Sequence, residues 1–106
     1  MIAGELRQQT KELLDETIPE KKDLDDKVRQ LIEAEYLRQL GRHKRTNSAL
    51  TDKYGMTFEE FVERRIAREK GYTWEVEQDA MAWETAIGGI AAMERQLQKV
   101  RDLGER

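Results

Sequence analysis

The chain has 106 residues, a net charge of −3, and 39 % charged against 38 % hydrophobic residues. That length suits a single domain spanning 1–106, and so small a net charge does not drive the chain open. Leu, Ile, Val and Phe supply 22 residues, roughly a fifth of the chain and just above the range where disorder is the default, so a thin core completed by a partner is expected. No stretch reaches the ~18 apolar residues of a membrane helix, and the N-terminus lacks the apolar run of a signal peptide. A cytoplasmic location with no membrane contact follows as an expectation. With no cysteine and one histidine, disulfides and thiolate sites are excluded, and zinc sites and His-based triads are disfavoured. Neither metal nor cofactor is expected.

Alternating strand patterns are missing and helix formers dominate. The first segment runs from Ala3 to Thr17, with a weak stripe of Leu6, Thr10, Leu13, Leu14 and Ile18, and Pro19 ends it. Residues 1–22 read as a loosely packed N-terminal arm. The second segment starts at Asp23 or Leu24, carries Leu24, Val28, Leu31, Ile32, Tyr36 and Leu40, and stops at Gly41. Residues 41–56 form a basic connector, with a short helical turn from Ser48 to Tyr54 that ends at Gly55. In the third segment Thr57 and Glu60 have capping-box spacing and Met56 and Phe61 have staple spacing. Gly71 is its stop.

Thr73 caps the fourth segment, expected to be the longest. Its stripe is Val76, Ala80, Trp83, Ile87, Ile90, Met93, Leu97 and Val100, at steps of three and four. Gly88 and Gly89 interrupt it, and their role is open at this point. The fold expectation is all-α, with three to four helices, a long C-terminal helix and an open or dimeric arrangement.

The strongest candidate for function is the start of the fourth helix. Glu75, Glu77, Asp79 and Glu84 stand among Trp74, Met81 and Trp83, with no Lys or Arg from 71 to 94. Tryptophan offers contact area that desolvates well, and carboxylates steer a basic partner. The competing reading is a dipole-favoured acidic helix start with a core tryptophan. A second cluster, Arg42, Lys44 and Arg45 beside Arg38 and His43, suits phosphate contact, against a solvated loop. His43 reads as a surface residue. The run Ala86, Gly88, Gly89, Ala91 and Ala92 permits close helix approach, either inside the monomer or in a dimer seam. Glu59, Glu60 and Glu63 spell EExxE, which resembles the first half of the motif of MazG-type nucleoside triphosphate pyrophosphohydrolases. That resemblance would imply Mg²⁺-dependent catalysis, but the second half, ExxD, is not intact. No catalytic residue is assigned.

The runs Lys53-Tyr-Gly-Met-Thr-Phe-Glu-Glu-Phe61, Gly71-Tyr-Thr-Trp-Glu-Val-Glu-Gln-Asp79 and Trp83-Glu84-Thr85 together resemble small bacterial and archaeal type II antitoxin-like proteins. The likeness covers about Leu31 to Ile90. It implies a non-catalytic protein that masks the basic active site of a cognate ribonuclease-type toxin. Trp74, Glu75, Glu77, Asp79, Trp83 and Glu84 would make the contact, and operator DNA would be a further partner of such a protein. The alternatives are a homo-oligomeric helical scaffold, driven by the long C-terminal stripe, and the pyrophosphohydrolase.

Overall fold

A computed structural model describes residues 6–105. Five helices follow in order: α1 (Gln8–Thr17), α2 (Leu24–Tyr54), α3 (Phe58–Glu63), α4 (Ile66–Glu69) and α5 (Trp74–Gly104). No strand occurs among the described residues. The expected start of the first helix at Ala3 lies outside them, and α1 follows Arg7, whose side chain makes no capping hydrogen bond.

The frame is an antiparallel pair. Helices α2 and α5 have 31 residues each, roughly 46 Å at 1.5 Å per residue. Paired positions give the register. Lys53 meets Glu75 and Asp79, Asn47 meets Trp83, Tyr36 meets Gln96, and Glu33 meets Arg101. The molecule is long, with extents of 58 × 27 × 25 Å and a radius of gyration of 19.9 Å, against about 13 Å for a compact domain of this length.

Three expectations are corrected here. The chain forms five helices rather than three or four, because α3 and α4 are separate short turns broken at Arg65, whose backbone is left-handed with φ 51°. The fourth segment is not longer than all others, because α2 equals it. The reason is that Gly41 does not stop α2. A glycine inside a helix costs ~1 kcal/mol, and the seam against α5 outweighs it: Tyr36, Leu40, His43, Asn47, Leu50 and Tyr54 recur at steps of four and three, one continuous face. Four of these six residues are polar or amphipathic, which hides the period. Gly55, with φ 66°, is the true end, and its N–H closes on the Thr51 carbonyl at 2.8 Å. By contrast Leu24, Val28, Leu31 and Ile32 stay exposed.

Local signals act where expected. Thr57 and Glu60 complete a capping box, and the Thr73 side chain accepts from the Val76 N–H. The core gathers at the α3–α4 end, where Leu50, Phe61, Ile66, Val76 and Trp83 are buried together. Tyr54, Phe58 and Phe61 surround the Trp83 indole at centroid distances of 5.8, 5.5 and 5.2 Å. At the other end Leu14 and Ile18 are buried, and the buried Lys27 binds Asp15 of α1 at 2.6 Å. The N-terminal arm is thus tied to α2.

Gly88 and Gly89 differ in their surroundings. A Cβ on Gly88 meets nothing within 4 Å, whereas one on Gly89 would run into the ring of His43. His43 is therefore half-buried in the helix seam rather than a surface residue. Gly88→Ala is expected to raise unfolding free energy by about 1 kcal/mol, the helix-propensity gain. Gly89→Ala is expected to lower it by about 1 kcal/mol, because overpacking costs more than propensity returns. Urea denaturation followed by far-ultraviolet circular dichroism measures both.

Candidate functional site

The first turns of α5 carry all six residues of the acid–tryptophan cluster, and helical geometry divides them. Positions seven apart lie about 20° from each other on an α-helix. Val76 and Trp83 make one such pair and face the core, with Trp83 fully buried. Trp74 and Met81 make another and face outward, 76 % and 62 % exposed. Glu77 and Glu84 make a third, exposed beside that outer ridge. Neither of these two carboxylates forms a salt bridge among the described residues.

Trp83 is corrected as a contact residue. Its indole has no surface to offer, and its Nε1–H donates to Asn47 Oδ1 at 2.8 Å. A buried indole N–H needs such an acceptor, and α2 supplies it.

Glu75 and Asp79 have partners within the chain. Lys53 Nζ lies 2.6 Å from Glu75 Oε1 and 2.6 Å from Asp79 Oδ2, and the Tyr54 hydroxyl donates to the same Asp79 oxygen at 2.6 Å. Hydrogen bonds from Lys53 and then Tyr54 hold the Asp79 carboxyl below its ordinary value. Asp79 and Glu75 in turn push the Lys53 ammonium up. Burial first, and the hydrogen bond to Asp79 second, push the Tyr54 phenol up to about 12. This cluster fastens the C-terminal turn of α2 to α5. Asp79 is half-buried within it and Glu75 stays exposed.

Arg42, Lys44 and Arg45 sit on α2 instead of a loop. Arg42 and Arg45 share a face with Arg38, at helical spacings of four and three, whereas two helical steps turn Lys44 about 200° from Arg42. Arg42 borders a recess of about 430 Å³ with His43, Thr46, Met81 and Thr85. Arg38 is held by Glu35 at 2.6 Å.

Glu59, Glu60 and Glu63 lie on α3, with Glu60 turned back to the Thr57 backbone and hydroxyl. No group of three or more His, Asp or Glu among the described residues is arranged to hold a metal ion. No helix among the described residues is long and apolar enough to cross a membrane.

Sequence reading left out of its contact set Met81, whose heptad spacing from Trp74 was a legible signal. It also missed a groove between α3, α4 and α5, lined in part by Arg65, Arg68 and Tyr72. In comparisons with known protein families, curated proteins and solved structures, the chain matches none.

The Lys53–Tyr54–Asp79 cluster makes stability depend on pH at both ends. A depressed carboxyl contributes stability above its ordinary pKa of 3.8, and this is lost as pH falls through the depressed value. A raised phenol contributes fully below 10.0, and this is lost on the way to about 12. Asp79→Asn is expected to lower the urea midpoint at neutral pH, with the gap to the parent closing as both are acidified. In alkaline titration of phenolate absorbance, the Tyr54 component is expected to move partway down towards 10.0 in Asp79→Asn, since burial remains.

Proposed function

We propose that this chain is a non-catalytic protein-binding module, an antitoxin that lays the outer ridge of α5 over the basic active site of a ribonuclease-type toxin. The observation that carries this reading is the solvent-facing pair Trp74 and Met81, 76 % and 62 % exposed, beside the unpaired carboxylates Glu77 and Glu84. Large apolar side chains supply the desolvated centre of such an interface, and the acidic flank gives attraction and orientation towards a cationic surface. The motif likeness of residues 53–61, 71–79 and 83–85 to antitoxin-like proteins points the same way. The contact set is Trp74, Glu77, Met81 and Glu84, with Glu75 at its edge; Asp79 and Trp83 support the ridge from beneath.

A homo-oligomeric scaffold is the second reading, favoured by the exposed side chains of Leu24, Val28, Leu31 and Ile32 along α2. Light scattering coupled to size exclusion separates the two: a stable dimer without any partner supports the scaffold. Operator contact through Arg42, Lys44 and Arg45 as one set draws no comparable support, because Lys44 is turned to another side of α2 from the two arginines.

The deciding measurement is affinity for the product of the adjacent gene. Trp74→Ala combined with Glu77→Lys is expected to weaken binding at least about 30-fold, the scale of losing one hot-spot residue, while circular dichroism stays unchanged. Unaltered affinity removes this ridge from the interface.

A further inference from the structure

Beside the ridge, α3, α4 and α5 border an open groove of about 430 Å³, within the range of small-molecule sites. Phe58, Phe61 and Ala80 contribute an apolar lining, with Val62 and Tyr72 also lining it and themselves exposed. Arg65 and Arg68 bring two guanidinium groups, neither in a salt bridge among the described residues. Glu84 adds one carboxylate from α5.

Arg65 and Tyr72 are the two non-glycine residues of the described chain with positive φ, 51° and 54°. Both line this one groove. An L-residue resists that conformation, and such outliers persist only where their surroundings over-determine them. Here Ile66 is anchored in the core next to Arg65, and the Tyr72 N–H bonds the Ala67 carbonyl at 2.9 Å. The backbone that carries the arginine and the tyrosine at the groove is therefore fixed without any ligand.

We propose that this groove binds a small apolar monocarboxylate, with an aromatic or branched body lying among Phe58, Phe61 and Tyr72 and its carboxylate between Arg65 and Arg68. Guanidinium groups recognise carboxylate through paired hydrogen bonds. Glu84 opposes a second negative charge on the ligand and so disfavours phosphates and dicarboxylates. A ring the size of naphthalene suits the volume. This site shares Glu84 with the docking ridge, and its other lining residues lie outside that contact set.

The test is a titration of the ¹⁵N-labelled full chain with naphthylacetate, and in parallel with its uncharged analogue naphthylacetamide, followed by NMR. Saturable shifts at the amides of Val62, Arg65, Tyr72 and Ala80 are expected, with Kd on the order of 1 mM for a ligand of this size. The amide analogue is expected to bind at least about 5-fold more weakly, and Arg65→Gln with Arg68→Gln to remove the difference between acid and amide. Equal binding of acid and amide by the parent chain overturns the proposal without recourse to any variant. So does the absence of saturable shifts, or shifts centred on Trp74 or on Leu31. A partner assay that fails at the ridge leaves these outcomes unaffected.

Discussion

The hydrogen bond from Trp83 to Asn47 is the constraint around which the molecule is arranged. An indole fully removed from water gives a large hydrophobic gain, but its N–H becomes costly unless an acceptor is placed at hydrogen-bonding distance. That acceptor sits 36 positions earlier in the chain, so the bond can form only if α2 is helical as far as Asn47 and α5 runs antiparallel beside it. Once the two helices are so placed, Tyr54 stacks on the indole at a 20° interplanar angle, and its hydroxyl reaches Asp79. The segment from Gly55 to Thr73 must then fold back over the same ring, which Phe58 and Phe61 accomplish. One buried side chain thereby sets helix register, the path of the α3–α4 excursion and the direction of the outer ridge.

This arrangement also explains how a chain with so few core formers holds two long helices together. The largest buried cluster sits at the α3–α4 end, and Leu40, Ala86, Leu97 and Val100 carry burial on along the pair. Farther along, the seam uses His43 against the bare backbone of Gly89, the Tyr36–Gln96 hydrogen bond at 3.5 Å and the Glu33–Arg101 ion pair at 2.8 Å. Exposed ion pairs of the last kind contribute little stability. They do fix which residues face each other, which a seam of small and polar side chains would otherwise leave loosely specified.

Much of this was readable in the sequence, and the failures have physical causes. The Thr57 capping box, the Thr73 cap and the left-handed Gly55 and Gly71 are local signals that the structure uses, and the periodic stripe of α5 holds except at Ile87, which is exposed while Ala86 is buried beside it. Gly41 misled because intrinsic propensity is a weak local term, overridden by packing that only the partner helix supplies. The seam of α2 was obscured because His43, Asn47 and Tyr36 do not register as apolar, while the visible stripe of Leu24, Val28, Leu31 and Ile32 stays exposed. At the candidate site, two tryptophans nine residues apart looked alike in composition. Nine steps turn the helix by half a revolution, so one became core and the other surface. The groove was illegible for a different reason: left-handed backbone at an arginine and a tyrosine leaves no mark on residue identity.

The placement of the largest buried cluster at one end gives the hairpin a direction. Joining Lys53 to Asp79 closes a loop of 26 residues, whereas joining Glu33 to Arg101 closes one of 68. Closure entropy grows only as the logarithm of loop length, and each pair formed shortens the next search to a few residues. On closure entropy alone the aromatic end of the pair joins at the smaller cost, by about 1 kcal/mol, and the end bearing α1 at the larger.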